Sequence, residues 1–371
     1  MKFPRIILII DGMGDHPSRE LVNKTPLQAA NSPVLDKLAQ EGKCGSAHPM
    51  GPGEIANTVS GTLSILGFNP KNNSISRGVV ESIGCNSGII PGDIAFRGNW
   101  GTIDSKGFIL DRRAARIREG TEKLCSSLNG LKIENIEFLV SPATEHRVSI
   151  VLREKGISEQ LSGSDPFKTF NTKIKPLIPK PFKRSDKKSL YTAKILNLFE
   201  LKARNILKNH PINLYRQSKN LLPANIILSR ESGAIDDFPK LKDPSGSILK
   251  GIFITEDDTI SGISKMIGLK ICKTSNMTAN LDTDINEKFK LAKKFLNNQE
   301  LVILHIKGCD IAAHNKDPKN KKIFLEKIDS ELGKFLEKFN SKFKLAITAD
   351  HSTSSINGLH IEDPVPLLLN G

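Results

Sequence analysis

The sequence predicts an α/β protein: a mostly parallel sheet flanked by helices, interrupted by an inserted α+β domain. Three observations carry this. Short apolar, β-branched runs that read as strands covered on both faces lie at opposite ends of the chain, and segments of helical period connect to them. The middle of the chain has a different texture, with short alternating strands, one long amphipathic helix and a proline- and lysine-rich stretch. At 371 residues the chain is long enough for one large domain or two ordinary ones, each with a real core.

The first run, Phe3 to Ile10, is almost uninterrupted and stops directly on Asp11. Ser32 to Glu41 follows as a helix, with Ser32 as its cap, Pro33 in its first turn and Val34, Leu35, Leu38 and Ala39 on one face. The segment from Gly51 to Pro70, GPGEIANTVSGTLSILGFNP, is rich in glycine and hydroxyls and turns apolar at Leu63 to Phe68. It reads as a loop feeding a helix whose free N–H groups can hold an anion. Ser87 to Thr102 and Ile136 to Leu152 read as antiparallel strands alternating with loops, and Leu190 to Asn209 as a long amphipathic helix. Between them Pro166 to Pro181 reads as an extended connection. Glu300 to Ile306 and Phe343 to Thr348 are again buried strands. A helix from Lys321 links them, with Ile323, Phe324, Ile328, Leu332 and Phe335 at helical spacing. The division that follows is a discontinuous domain, 1–71 with 238–371, and an insert at 72–237.

Composition narrows the function. Apolar residues make up 38% of the chain and gather in runs, so a folded protein is expected. With no span of some 18 or more apolar residues, neither a signal peptide nor a membrane anchor is expected, and a cytoplasmic location follows. The 5 cysteines are scattered without a CxxC pair, which excludes a disulfide framework and a zinc ribbon and suits a reducing compartment. A formal charge of +14 raises the question of nucleic acid. The lysines are spread along the chain, densest around Lys173 to Lys188, without the aromatic partners of a base-stacking platform. No nucleic-acid partner is expected; the charge reads as a solvated surface that steers small anions. Oligomeric state leaves no trace in the sequence.

The chemistry lies where acidic and imidazole side chains fall relative to the strands. Asp11 ends the first strand, Asp310 and His314 follow the strand ending at Ile306, Asp350 and His351 follow the strand ending at Thr348, and His360 comes shortly after. The carboxyl ends of strands in an open α/β sheet share one rim, so these groups converge. Asp310 and His314, four apart, share a helical face. Each alone has a bland reading as turn chemistry or a cap; together at successive strand ends they point to metal. Asp and His without Cys suit two divalent ions, Mn²⁺ or Zn²⁺, with Mg²⁺ or Co²⁺ as alternatives, and a pair about 3.5–4 Å apart suits phosphoryl transfer. The nucleophile then belongs to the hydroxyl-rich loop, and spacing leaves Thr58, Ser60 and Thr62 open.

The motifs IILIIDGMGD, NKTPLQAANSPVLDKLAQEG, LSILGFNP, ISRGVVESIG, DIAFRGNWGTI, DRRAARI, TEHRVSIVL, NHPIN, PANIILSR, HIKGCDIAAH, ADHST and HIEDPVPLLL run almost end to end. In them the chain resembles the archaeal-type cofactor-independent phosphoglycerate mutases of the alkaline phosphatase superfamily. The resemblance implies an alkaline-phosphatase-like sheet with an inserted cap, and metal-dependent interconversion of 2- and 3-phosphoglycerate. It implies one ion on Asp310, His314 and His360, and another on Asp11, Asp350, His351 and the nucleophile. It places that nucleophile on Thr58, where the family has serine, and so implies a phosphothreonine intermediate. Arg77, Arg97, Asp111, Arg112, Arg113 and Arg116 fall in matching motifs as substrate-binding residues, with His146, Arg147 and Arg230 as further ones. A planar guanidinium fork suits bidentate capture of phosphate and carboxylate.

The sequence departs from the family at Val59 and Thr62, where an acidic residue and a histidine are usual, and at Ser261, where a lysine is usual. It also stops at Gly371 while family members continue. A phosphatase or phosphotransferase acting on another small phosphorylated acid is the alternative function, and a catalytically silent relative is the alternative of another class. The full set of six metal ligands argues against the latter. The insert is expected to close over the metal rim, since its arginines otherwise reach no substrate.

Overall fold

The computed structural model describes residues 3–167, 173–235, 237–339 and 342–371. They form two compact units, Met1–Ser74 with Phe238–Gly371, and Ile75–Asp237.

The first unit is a seven-stranded sheet of β1 (Arg5–Ile10), β2 (Lys43–Ala47), β3 (Gly251–Ile254), β4 (Lys270–Cys272), β5 (Leu301–Ile306), β6 (Lys344–Thr348) and β7 (Val365–Asn370). Their order across the sheet is β4-β3-β5-β1-β6-β7-β2. β1 lies between β5 and β6, parallel to both, with Ile9 opposite His305 on one side and Thr348 on the other. The residues that follow these three strands therefore emerge together at one rim. The sheet is mostly parallel, as the uninterrupted apolar runs require, and Leu8, Ile10, Val302, Leu304 and Ile306 are fully buried between helical layers.

β7 runs antiparallel to both of its neighbours, a feature the sequence reading did not contain. The segment joining it to β6 carries a small hairpin, Ser352–Thr353 with His360–Ile361, and no crossover helix. Without a crossover the chain re-enters the sheet from the rim it left, which makes the pairing antiparallel.

Two helices pack as the apolar spacing requires, though their ends are fixed differently. The helix Pro33–Glu41 has Ser32 at its cap position without a side-chain cap bond. Its open amides are served by Asp329, whose carboxylate accepts from Val34 N at 3.3 Å and from Leu35 N at 2.7 Å. The helix Pro318–Lys338 begins before Lys321, with Asp317 accepting from Asn320 N and Pro318 in the first turn. It buries Phe324, Ile328, Leu332 and Phe335, while Ile323 is 44% exposed and stands outside the apolar face.

The second unit is antiparallel. Its central strand, Ile94–Ile103, is buried at all ten positions and pairs with Arg147–Arg153 on one side and Ile226–Ala234 on the other. Residues 87–93, expected at the start of that strand, are irregular. The helix Lys187–Lys208 covers the sheet and stacks Phe199 on Phe138 with ring centroids 4.0 Å apart, beside fully buried Trp100 and Phe96. Within the expected connection from Pro166 to Pro181, residues 168–172 lie outside the described residues, and 173–180 carry no regular structure. The two ends of the unit meet: Ser76 Oγ donates to the carbonyl of Glu231 at 2.5 Å. Among the described residues no helix is long and apolar enough to cross a membrane.

Candidate metal centre and anion cluster

In the first unit, β1 delivers Asp11 to the rim, and Gly12 turns the chain away at φ +67°. A Cβ at Gly12 would lie 2.8 Å from Thr353 Oγ1 and 3.0 Å from Asp310 Cα, so glycine is required here for both conformation and space. Asp310 and His314 share the short helix Gly308–His314, with His314 Nε2 3.2 Å from Asp310 Oδ1. His360 Nε2 is 3.7 Å from the same oxygen. Asp350 and His351 follow β6, and His351 Nε2 lies 3.1 Å from Asp11 Oδ1 and 3.6 Å from Asp350 Oδ2. All six acidic and imidazole groups read from the sequence thus meet in one cluster, and Asp11, Asp350 and His351 are buried to 1% exposure or less.

Of the three hydroxyls, Thr58 is the one that faces this cluster. It is the first residue of the helix Thr58–Ile65, and its Oγ1 lies 3.4 Å from His351 Nε2. Ser60 instead completes a capping box with Asn57, its Oγ accepting from Asn57 N at 3.0 Å. Thr62 is buried, and its hydroxyl has no hydrogen-bond partner. Two of the helix's first amides are closed to the expected anion, because Asn57 Oδ1 accepts from Val59 N and Ser60 N. The helix packs directly on the metal-site backbone. A Cβ at Gly61 would overlap the carbonyl oxygen of Asp350.

The histidines are oriented as metal ligands are. His360 Nδ1 lies 3.1 Å from the carbonyl of Ala56 and His314 Nδ1 2.8 Å from that of Gly358, so each ring donates its Nδ1 proton to backbone. Thr353 Oγ1 donates to Asp310 Oδ1 at 3.0 Å and so accepts from His351 Nδ1 at 2.9 Å. All three rings therefore turn Nε2 toward carboxylate oxygens, and at His351 that position draws a proton or a cation. Two electron-rich atoms facing each other in a buried site call for a cation between them, and a ring fixed through its other nitrogen is the usual second-layer support of a metal ligand. Buried carboxylate oxygens Asp11 Oδ1 and Asp350 Oδ2 have no well-aligned hydrogen bond and only the His351 ring close by, which fits the same need.

The charges agree. Burial and the neighbouring Asp11 push the Asp350 carboxyl up to about 6. Burial opposes a charge on His351, yet Asp350 and Asp11 overcome it and push the ring up to about 9. Burial and His351 push His360 down to about 4, leaving it neutral as a ligand must be. Burial raises Asp11 as well, but Lys307, His305 and His351 hold it well below the usual carboxylate range. A site that draws a proton onto a buried imidazole this strongly draws a cation for the same reason.

The grouping by distance differs in one respect from that implied by the resemblance. Asp310, His351 and His360 form one set of converging ligand atoms, and Asp11, His305 and Asp350 another. His305 was missed in the sequence because it sits inside the apolar run LVILHI. A histidine in a strand covered on both faces was the available signal. Lys307 was missed too. It is buried, with Nζ 2.7 Å from Asp11 Oδ2, 3.4 Å from Asp257 and 3.6 Å from Asp310. Fully buried Lys321 holds the rim together, donating to the carbonyls of Gly14 at 3.0 Å and Thr353 at 2.8 Å and to Asp15 at 2.9 Å.

In the second unit the predicted arginines gather around too few acids. Arg97 is 3% exposed and pairs with Glu81 at 2.8 Å and Glu231 at 3.3 Å. Arg147 shares Glu81 at 3.3 Å, and buried Arg77 Nε has no hydrogen-bond partner. Burial and the cations Arg147, Arg113, Arg116 and Arg97 hold His146 well below the usual imidazole range, so it is neutral. Asp111 accepts from Arg113 N at 2.6 Å and anchors a turn in which Ala114, Ala115 and Arg116 all take left-handed φ, of 43°, 53° and 54°. Three such residues in a row cost about 1–2 kcal/mol each, which marks this turn as held by its surroundings. Arg112 differs from expectation: its fork closes on Asp165 at 2.8 and 2.6 Å, and Arg230 pairs with the same carboxylate. The excess of guanidinium charge suits an anion with several oxygens.

The family described as 2,3-bisphosphoglycerate-independent phosphoglycerate mutase matches residues 39–213. A protein of that name from Picrophilus torridus is 37% identical, over 98% of this chain and 88% of its own. One from Methanobrevibacter smithii is 37% identical, over 99% and 88%. Among solved structures, the PH0037 protein from Pyrococcus horikoshii superposes with a TM-score of 0.81 at 27% identity, covering 100% of this chain and 88% of that one. The cofactor-independent phosphoglycerate mutase from Thermoplasma acidophilum gives a TM-score of 0.62 at 27% identity, covering 100% and 89%.

Proposed function

The chain belongs to the 2,3-bisphosphoglycerate-independent phosphoglycerate mutases, and from that membership we propose how its residues divide the work. It interconverts 2- and 3-phosphoglycerate without bisphosphoglycerate. The observation that carries the residue-level reading is the set of three histidines, each fixed through Nδ1 and each turning Nε2 toward a buried carboxylate.

Asp310, His314 and His360 would hold one divalent ion, and Asp11, Asp350, His351 and Thr58 the other; His351 lies close to both groups. Bound there, two ions such as Mn²⁺ or Zn²⁺ supply Lewis acidity, lowering the pKa of a hydroxyl and offsetting charge on a transferring phosphoryl group. Thr58 Oγ1 is the nucleophile. Its bond to phosphorus forms as the bond to the glycerate oxygen breaks, and the departing oxygen takes up the proton that Thr58 loses. The same threonine then returns the phosphoryl group to the other glycerate hydroxyl. Arg77, Arg97, Arg147 and the turn carrying Arg113 and Arg116 hold the carboxylate and phosphate oxygens while the glycerate reorients, and neutral His146 serves as a hydrogen-bond partner beside them. Arg112 and Arg230 act one step back, through Asp165, by fixing the strands that carry the others.

The test is direct. Purified protein with Mn²⁺ and 3-phosphoglycerate, without bisphosphoglycerate, should form 2-phosphoglycerate and little free phosphate, and chelation should abolish this reversibly. Free phosphate as the main product would make the protein a phosphatase. Undiminished turnover in a metal-free preparation would refute the two-ion reading.

A further inference from the structure

We propose that His305 is a ligand of the ion held by Asp11 and Asp350, which gives that ion a second imidazole source besides His351. The proposal rests on the two-ion reading above and adds a residue to it.

His305 is fully buried near the carboxyl end of β5, opposite Ile9 of β1 in the sheet. A buried imidazole ordinarily donates from one ring nitrogen and accepts at the other, since an unserved polar atom in the interior is costly. Here Nδ1 has no hydrogen-bond partner, and Nε2 meets Asp11 without a well-aligned hydrogen bond. The ring is aimed at the cluster nonetheless: Nε2 lies 3.2 Å from Asp11 Oδ2, and one ligand atom each from Asp11, His305 and Asp350 falls within 4.8 Å of the others. The oxygens Asp11 Oδ1 and Asp350 Oδ2 are likewise buried without a well-aligned hydrogen bond, facing His351 Nε2 at 3.1 and 3.6 Å. Three side chains that converge at one point without well-aligned hydrogen bonds among them describe a coordination set better than a packing accident.

The other side chains at the rim sharpen the case. His351 Nε2 converges with Asp310 and His360, so the histidine read from the sequence as a ligand of the Asp11 and Asp350 ion is shared between the two groups. Without His305 the second ion would have two carboxylates, a hydroxyl and a share of one ring. Lys307 Nζ lies 2.7 Å from Asp11 Oδ2, the oxygen nearest His305, and is also within 3.4 Å of Asp257 and 3.6 Å of Asp310. It can therefore keep carboxylate partners while Asp11 turns its oxygen to an ion.

Affinity alone does not separate a ligand from a residue that only orients Asp11, because loss of an outer partner also weakens metal binding by 10- to 100-fold. A spectroscopic count does. In protein loaded with Co²⁺, each ring on the metal gives a strongly shifted, exchangeable imidazole N–H resonance, and rings off the metal give none. The holoprotein should show four such resonances, from His305, His314, His351 and His360, and His305→Gln should show three with weaker binding of one of its two ions. Three resonances in the unaltered protein with both ions bound, or four retained in His305→Gln, would overturn the assignment. Should His305→Gln not fold, His305→Asn and the count in the unaltered protein decide. A protein that takes up no Co²⁺ refutes the two-ion reading itself, a different failure from three resonances with two ions present.

Discussion

Replacing Glu200 by glutamine should flatten the pH dependence of the second unit's stability. Glu200 lies on the helix Lys187–Lys208, and its Oε1 accepts from Ser229 Oγ at 2.5 Å and from Ser164 Oγ at 2.7 Å. Burial pushes its carboxyl from 4.5 up to about 7, against the lowering effect of the two serines. Between those values the unfolded chain releases a proton that the folded unit retains. Stability is therefore complete below the unfolded pKa and falls as pH rises toward the folded one. A shift of this size corresponds to about 3 kcal/mol lost between about pH 4.5 and pH 8. Glutamine keeps the Oε1 acceptor for both serines and cannot ionise, so Glu200→Gln should match the parent at the acid end and exceed it by about 3 kcal/mol at pH 8. The chain's single tryptophan, Trp100, is fully buried in the core of this unit, so its emission during guanidinium unfolding reports on the unit directly. Parallel pH profiles for the two proteins would show that Glu200 is ionised in the native state and that the burial argument is wrong.

Thr58→Ala should abolish formation of a labelled phosphoenzyme from radioactive substrate while both ions remain bound, and Thr58→Ser should retain turnover; near-normal activity in the alanine variant would move the nucleophile elsewhere. Gly61→Ala should push the helix of Thr58 off the carbonyl of Asp350 and lower kcat on the order of 10²-fold, since displacement of a reacting group by about 1 Å has that effect. An unchanged kcat would mean that the helix is free to shift without moving Thr58. Arg97→Met should remove the cation 2.8 Å from buried Glu81 and destabilise the second unit, by less than the roughly 3–5 kcal/mol of a fully orphaned buried charge because Arg147 stays 3.3 Å away, read again from Trp100 emission.

The parts of the molecule that follow from local pattern were legible. Uninterrupted apolar runs marked β1, β5 and β6, and an aspartate within a few residues of each strand end (Asp11, Asp310 and Asp350) marked the rim, because strand burial and strand ends are written in nearby residues. Partnerships across long sequence separations were not. Asp329 caps the helix behind Ser32 from far along the chain, and Asp165 takes the fork of Arg112. Asn57 captures two of the amides that an anion was expected to use; its capping box with Ser60 was readable as a pattern, but the anion reading competed with it. His305 was hidden for the opposite reason: a lone histidine in an apolar strand carries no local sign of which distant carboxylate it meets. The antiparallel β7 needed knowledge that the chain makes no crossover after β6.

The position of β1 has a consequence for the order in which the molecule is made. Its two neighbours, β5 and β6, are among the last parts of the chain to be synthesised, so the nascent β1 waits with both edges unpaired while the whole of Ile75–Asp237 is produced. That segment has its own core and joins its own ends through Ser76 and Glu231, so it can close locally. Once closed, it roughly halves the length of free chain that must loop to bring β5 to β1, which lowers the entropic cost by about 0.6 kcal/mol. The saving is small, but the sequence of events is strict. On the two-ion reading, no nascent chain could hold both ions before Asp350, His351 and His360 had been added, so metal loading would be a late step that finishes the enzyme and could not guide its early folding.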